Sequence, residues 1–185
     1  NIALGRAQTE GYEYALILNN DTQVSGDFIE KLLDIPVAHS DAGIVVPKIV
    51  SVGEKSRIES AGGQLSLWWG RCYARGYGED ERGQYRETGR TGFCTGTAML
   101  LSMKMLSDIG LFDEEYFLYH EDTDLCVRAT KAGYGLYYAG KAVIRHTTSF
   151  YLGGYMNSTS FFYCSRNAFY LVRKHGSVLQ RVFFF

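Results

Sequence analysis

The sequence predicts an α/β domain with a partly parallel sheet, and three consecutive segments lead to this fold class. The apolar run Tyr14–Leu18 is bounded by polar residues, as expected of a strand buried on both faces. A helix is predicted next, with Ser25 as its N-cap, Pro36 at its end, and an apolar face made by Phe28, Ile29, Leu32 and Leu33. A second buried strand, 43–46, is closed by Pro47. Strand, helix and strand at this spacing form a βαβ unit.

The remaining elements follow from composition and periodicity. The segment 51–92 holds nine of the 21 glycines and predicts short strands with a mobile loop at 78–90. Gly133 is expected at the C′ position of a helix. We predict strands at 57–60, 65–71, 94–101, 134–139 and 142–145, and helices at 104–109, 123–132 and 159–174.

Composition narrows the function classes. A chain of 185 residues with 46% hydrophobic residues suffices for one domain with a core. Lys and Arg number 19 against 20 Asp and Glu, and this balance argues against a nucleic-acid partner, which would require a basic excess. Aromatic residues make up 15%, a level that suits an amphipathic cleft or an interface.

The cysteine spacing and the chain ends lead to further predictions about disulfides, membrane spans and domain bounds. The four cysteines are widely spaced, so we expect free thiols rather than a zinc site. The apolar runs are too short to span a bilayer. The chain starts without methionine and stops within the apolar stretch 178–185, which suggests a piece of a longer protein. We expect one domain over 1–176 and the start of an apolar extension over 177–185.

Polar residues follow the first predicted strand. Asn19 and Asp21 bring an amide and a carboxylate to its carboxyl end, where open α/β sheets bind ligands. Ordinary turn chemistry explains the same residues equally simply.

A second candidate is the acidic run at 121–124. Glu121, Asp122 and Asp124 would repel one another at neutral pH unless a cation, a helix N-terminus or raised pKa values offset them. Asp122 suits a helix N-cap, and it equally suits a general base aimed into a cleft. Arg128, four residues after Asp124, can form a local ion pair.

The third candidate is His146, which ends an apolar strand. A histidine there is either a hydrogen-bonded structural residue or one ligand of a metal site completed by a distant carboxylate.

In combination, these motifs resemble the family-2 glycosyltransferases, in particular the bacterial rhamnosyltransferase-like branch that builds cell-surface polysaccharide. The resemblance runs from Tyr14 to His175. It is carried by Asn19–Thr22, Cys94–Leu101, Gly110–Glu114, Phe117–Cys126, Arg128, Gly133–Tyr134, His146, Arg166–Asn167 and Arg173–Gly176.

The resemblance implies a GT-A fold, that is, a Rossmann-like mixed, mainly parallel sheet flanked by helices, of which the first strands would be missing here. It also implies a nucleotide-diphosphate sugar donor and a divalent cation, Mg²⁺ or Mn²⁺. Asn19 and Asp21 match the Asp-x-Asp motif that binds the donor diphosphate, and Asp21 and His146 match residues at the metal. Asn19 departs from the motif and leaves one carboxylate.

The same resemblance assigns the acceptor side. Asp122 matches the general base of an inverting transfer, Glu121 would shape the acceptor pocket, and Gly96 and Thr97 would form its floor. The donor and metal corner would lie within 12–50 and the acceptor and catalytic part within 91–150. This part alone is expected to be inactive.

Two alternative functions are considered beside glycosyl transfer. A sugar nucleotidyltransferase would need a glycine-rich, basic phosphate loop near the start, and the sequence has none. A non-catalytic carbohydrate-binding or assembly module would keep the fold without turnover. The acceptor is expected to be a glycan or a lipid-linked glycan.

The C-terminal segment bears on localisation. Arg181 beside Val182–Phe185 suits the headgroup region of an anionic membrane. We therefore expect a cytoplasmic protein, attached peripherally to the inner face of the plasma membrane. Packing of this segment against missing strands or a second subunit of a homo-oligomer is the alternative.

Overall fold

The computed structural model describes residues 1–53, 56–147 and 158–185. The helices are α1 (Ile2–Thr9), α2 (Phe28–Ala38), α3 (Met103–Ile109), α4 (Glu121–Lys131), α5 (Ser158–His175) and α6 (Val178–Phe184), with a 3-10 turn at Glu114–Tyr116. The strands are β1 (Tyr14–Leu18), β2 (Thr22–Val24), β3 (Ala42–Ser51), β4 (Ile58–Ser60), β5 (Gly63–Ser66), β6 (Arg71–Ala74), β7 (Gly89–Arg90), β8 (Ala98–Ser102) and β9 (Gly135–His146).

The main sheet is mixed. Its strand order is β1-β8-β3-β9-β2, with β4 paired to β3 and β7 paired to β9. The β3–β9 pair is parallel, whereas β8 runs antiparallel to both β1 and β3. Consequently β1, β3 and β9 point in one direction, and β8 lies between the two strands of the predicted βαβ unit. The predicted mixed α/β sheet flanked by helices is confirmed. The expectation that the sheet is mainly parallel is wrong, because β3–β9 is the one parallel pair among the described strands of this sheet.

Two apolar cores cover the faces of this sheet. Side chains alternate along a strand, so Ile44 packs on the side of α3 and α4, whereas Val45 packs on the side of α2. In α2 the buried residues are Phe28, Leu32 and Ile35. Ile29, predicted to lie on the apolar face, is 52% exposed.

Three details of the first unit differ from the predictions. Strand β1 is only partly buried because β8 is its one partner in the described sheet. Pro36 lies inside the last turn of α2, and the N-cap is Asp27 rather than Ser25. Strand β3 continues through Pro47 because its pairing with β9 shifts register directly after that residue, a position where a missing N–H is tolerated.

Other boundaries differ more. The predicted strand 65–71 is interrupted by the turn of the β5–β6 hairpin at 67–70, where Gly70 adopts φ +55°. The two strands predicted between 134 and 145 form the single strand β9, and α6 is a helix that starts with a capping box between Ser177 and Gln180. Gly133 has φ +87° directly after α4, as predicted.

The cysteines and the helix lengths agree with the sequence. All four cysteines are free, and Cys94 and Cys126 are buried. Among the described residues, no helix is long and apolar enough to cross a membrane.

Candidate active site

The predicted site residues gather at one edge of the main sheet, where β1 and β9 end and β8 begins. The amide of Asn19 donates to the carbonyl of Thr97 at 3.0 Å, so the end of β1 lies against the segment that leads into β8. The amide of Thr147 donates to the carbonyl of Asp21 at 2.8 Å. These bonds bring the regions of Asn19, Asp21, Thr97 and the end of β9 together.

Asp122 is the second residue of α4 and faces the same segment. Its Oδ2 accepts a hydrogen bond from the amide of Gly96 at 2.8 Å, and its Oδ1 accepts from the amide of Thr123 at 2.6 Å. The N-cap of α4 is His120, which has the left-handed φ of +71°. The interpretation of Asp122 as the N-cap is therefore wrong, because the helix begins earlier and leaves this carboxylate to bond Gly96.

Burial shifts the proton affinity of both acids at the start of α4. It raises the pKa of Asp122, although the hydrogen bonds from Gly96 and Thr123 oppose this rise. It raises the pKa of Glu121 to about 7, with a further contribution from the charge of Asp122. The Oε2 atom of Glu121 is buried and has no hydrogen-bond partner among the described residues. Glu121 is therefore suited to exchange protons near neutral pH, and Asp122 has a higher proton affinity than an exposed aspartate.

His146 lies between two carboxylates at the end of β9. Its Nε2 is 3.2 Å from Asp21 Oδ1, and its Nδ1 is 2.7 Å from Glu59 Oε2. The hydrogen bond to the Glu59 carboxylate, which favours the protonated imidazole, raises the pKa of His146. Glu59 was not among the predicted site residues. The only feature that could have indicated it is an acidic side chain between two buried residues, Ile58 and Ser60, on one strand.

This donor set fits a divalent cation in part. Two ligand bonds of about 2.1 Å at a right angle separate the ligand atoms by about 3 Å, close to the 3.2 Å between His146 Nε2 and Asp21 Oδ1. Glu59 takes the other ring nitrogen, as outer-shell carboxylates do at metal-bound histidines. In the part of the chain that the structure describes, no group of three or more His, Cys, Asp or Glu side chains could hold a metal ion. Among the described residues, Asp21 and His146 could together supply two ligands.

Asp124 has a different environment, although it is only two residues from Asp122. It is fully buried and accepts hydrogen bonds from Arg128 and His175, while the Lys174 ammonium lies 2.7 Å away. Burial alone would raise its pKa, but these three partners lower it well below the usual range. The predicted Asp124–Arg128 pair is confirmed. The other two partners of Asp124, Lys174 and His175 on α5, were not predicted.

The fold is of the GT-A type. A crystal structure of GalNAc-T7 with UDP, GalNAc and Mn²⁺ superposes with a TM-score of 0.60 at 13% identity, over 80% of this chain and 30% of that one. The sequence profile described as glycosyltransferase like family 2 matches residues 5–160. The chain therefore belongs to the family-2 glycosyltransferases, as its motifs predicted.

Relatives at the sequence level come from mycobacteria. Uncharacterised proteins of Mycobacterium bovis and Mycobacterium tuberculosis are 34% identical over 163 residues, covering 80% of this chain and 54% of each relative. The chain thus spans about half the length of these curated relatives. The N-acetylglucosaminyl-diphospho-decaprenol L-rhamnosyltransferase of Mycobacterium tuberculosis is 38% identical over 55 residues, 30% of this chain and 18% of that protein.

Proposed function

We propose that the whole protein is an inverting glycosyltransferase that transfers a hexosyl group from a nucleotide-diphosphate sugar to a glycan or lipid-linked acceptor in cell-surface polysaccharide synthesis. The proposal rests mainly on the position and the pKa of the Asp122 carboxylate. This carboxylate has a raised pKa and lies 2.8 Å from the Gly96 amide, at the edge of the sheet where β1 and β9 end.

In this proposal Asp122 is the general base. It takes the proton of the acceptor hydroxyl as that oxygen attacks C1 of the donor sugar from the face opposite the diphosphate, which inverts the anomeric configuration. The Gly96 amide holds one carboxylate oxygen at 2.8 Å, which fixes the direction in which the base points. Gly96 and Thr97 line the acceptor position, and the unpartnered Oε2 of Glu121 is available to bind an acceptor hydroxyl.

The donor side is assigned to the other end of the same edge. Asn19 and Asp21 face the donor diphosphate, and Asp21 and His146 hold Mg²⁺ or Mn²⁺, with Glu59 orienting the imidazole. When bound, the cation neutralises charge on the departing diphosphate as a Lewis acid. The acceptor and catalytic part that we proposed from the sequence covers residues 91–150, and its last three residues, 148–150, lie outside the described residues.

A lipid-linked acceptor is favoured by one surface feature. Trp68 and Trp69, at the tip of the β5–β6 hairpin, pack edge-on against Phe183 of α6, and all three side chains are about half exposed. Arg181 lies on the same short helix. Aromatic side chains beside a cation suit the headgroup region, so we propose peripheral attachment to the inner face of the plasma membrane.

Liposome flotation of the full-length protein tests the attachment. Co-flotation with anionic vesicles at low salt should fall in the variant Trp68→Ser/Trp69→Ser and should persist in Tyr12→Ser, a control at an exposed aromatic residue outside this patch. Equal flotation of both variants would mean that the patch contacts protein instead.

Sugar transfer tests the function itself. Full-length protein would be given Mn²⁺, a panel of nucleotide-diphosphate sugars that includes L-rhamnose, and N-acetylglucosaminyl-diphospho-polyprenol, and the release of nucleoside diphosphate would be measured with and without acceptor. We expect acceptor-dependent release that Asp122→Asn abolishes and Asp27→Asn, the same change at an exposed aspartate, does not. The product anomer, read by NMR, should be inverted. Donor binding without any release would indicate a non-catalytic module.

A further inference from the structure

A buried asparagine on α5 lies against the segment that leads into the two acids of α4. The side chain of Asn167 is fully buried. Its Nδ2 donates to the backbone carbonyls of Tyr116 at 2.9 Å, Leu118 at 2.8 Å and Tyr119 at 2.7 Å. Three carbonyls of four consecutive residues thus converge on one amide group.

The chemistry of this contact is specific for asparagine. An amide nitrogen carries two hydrogens, which can serve three carbonyls when one hydrogen is shared, and its oxygen needs a donor. Arg166 supplies that donor, because its Nε lies 3.0 Å from Asn167 Oδ1. Aspartate has the same shape, but it would direct an oxygen at three carbonyl oxygens.

The backbone held by this amide has an unusual conformation. Phe117, Tyr119 and His120 have φ values of +58°, +65° and +71°, although none of them is glycine. Side-chain-bearing residues rarely adopt such angles, and they keep them only where surrounding contacts determine the conformation. The turn they form ends at the start of α4 and therefore decides where Glu121 and Asp122 point.

A second set of contacts joins α5 to the same turn. The hydroxyls of Tyr119 and Ser160 lie 3.0 Å apart, and the Arg166 guanidinium donates to the carbonyl of Glu115. These contacts involve one side chain of the turn and the carbonyl that precedes the turn, whereas Asn167 bonds three backbone carbonyls of the turn itself. Of these residues on α5, Asn167 alone donates hydrogen bonds to three backbone carbonyls of the turn.

We propose that Asn167 is a positioning residue that holds the turn 116–120 in its left-handed conformation and thereby aims Asp122 at the acceptor side. The inference rests on the proposed function of Asp122 as the base. Asn167 acts through the backbone and touches neither Glu121 nor Asp122 through its hydrogen bonds.

Hydrogen–deuterium exchange of the full-length protein tests the effect on the turn. Asn167→Asp keeps the volume and removes the donors, and Asn167→Ala removes the amide without adding a charge in case the first variant does not fold. Leu171→Ala, at a fully buried apolar site one turn further along α5, is the packing control. The backbone amides of residues 114–123 should exchange at least about tenfold faster in a variant at Asn167 than in Leu171→Ala, because several hydrogen bonds to the turn are lost. The two variants are compared under conditions where their free energies of unfolding are equal. Equal exchange would overturn the proposal.

A double-mutant cycle tests the link to catalysis. With a donor and acceptor pair that the wild type uses, Asn167→Ala should lower kcat by about 10²-fold, the cost of a misplaced catalytic group, and leave the donor KM nearly unchanged. In the Asp122→Asn background the same change should have no further effect on kcat. Multiplicative effects of the two substitutions would overturn the positioning role. If Asp122→Asn alone left turnover intact, the proposed function would fail instead, and the exchange experiment would still decide whether Asn167 holds the turn.

Discussion

Two aspartates on α4 show how differently one helix treats the same side chain. Asp122 faces the segment before β8, accepts two backbone amides and has a raised pKa. Asp124 faces α5, contacts the cations of Arg128 and Lys174 and the imidazole of His175, and has a lowered pKa. Two residues along a helix turn a side chain by about 200°, so the two carboxylates leave opposite sides of it.

The difference separates a group that can react from a group that stabilises. A carboxylate with a lowered pKa releases free energy on folding, whereas one with a raised pKa costs free energy when ionised. A protein keeps the second kind where its proton chemistry is used. The two sides of α4 are thus expected to respond oppositely to substitution.

The largest effect is expected on the Asp122 side. In the full-length enzyme, Asp122→Asn should reduce turnover by about 10²–10⁴-fold, because the amide cannot accept the proton. The melting temperature should change little, since the amide oxygen still accepts the Gly96 hydrogen bond. Steady-state kinetics beside a thermal melt measures both. Near-normal turnover would show that the carboxylate is only structural.

The Asp124 side should give the reverse result. Asp124→Asn should lower the free energy of unfolding by about 3–5 kcal/mol, because the cations of Arg128 and Lys174 lose a buried partner. The folded pKa lies below the unfolded one, so the loss should be full at neutral pH and shrink as the pH falls below 3.8.

Urea unfolding at pH 7 and pH 3 measures this change, and Asp27→Asn provides the exposed control. Turnover per folded molecule should fall less than tenfold. A variant with wild-type stability and no turnover would contradict the division between the two sides.

The sequence predicted the residues at the edge of the site better than the contacts that hold them. The strand–helix–strand pattern predicted the relative direction of β1 and β3, and the motif resemblance selected Asn19, Asp21, Asp122 and His146 as candidate site residues. The partners of Asp124 and His146 were not, because Lys174, His175 and Glu59 are brought in by elements far along the chain. Tertiary contacts of this kind leave no local periodicity.

The position of β8 was equally hidden. A strand–helix–strand pattern predicts that two strands run parallel, and β1 and β3 do. It contains no information on a later strand that inserts between them. The same limit applies to Asn167, whose three acceptors are backbone carbonyls and so carry no side-chain signature.

Substitutions at the proposed metal site, which lies outside α4, should weaken donor binding to different degrees. Asp21→Ala or His146→Ala should abolish Mn²⁺-dependent binding of a nucleoside diphosphate, because each removes one of two protein ligands. Glu59→Gln should weaken it by about tenfold, since the imidazole loses its charged outer-shell partner. Calorimetry with UDP and Mn²⁺ measures all three. Unchanged affinity in Asp21→Ala and His146→Ala would exclude a shared site.

The smallest effect concerns Glu121 and stability. Its folded pKa of about 7 exceeds the ordinary 4.5, so the folded state binds more protons between these values and loses stability as the pH rises. Glu121→Gln should therefore raise the free energy of unfolding by about 1–2 kcal/mol at pH 8 and leave it unchanged at pH 4. Thermal melts at both pH values test this. A variant less stable than wild type at pH 8 would contradict it.

The central claim is that Asp122 acts as a base with a raised pKa, and the pH dependence of kcat tests it most directly. The profile is best measured at saturating donor and cation in the Glu121→Gln background, so that one carboxyl of the coupled pair remains. We predict an acidic limb whose midpoint lies above 3.8, the ordinary value for aspartate, and its loss in Asp122→Asn. A limb that persists in Asp122→Asn, or a flat profile down to pH 4, would contradict the claim.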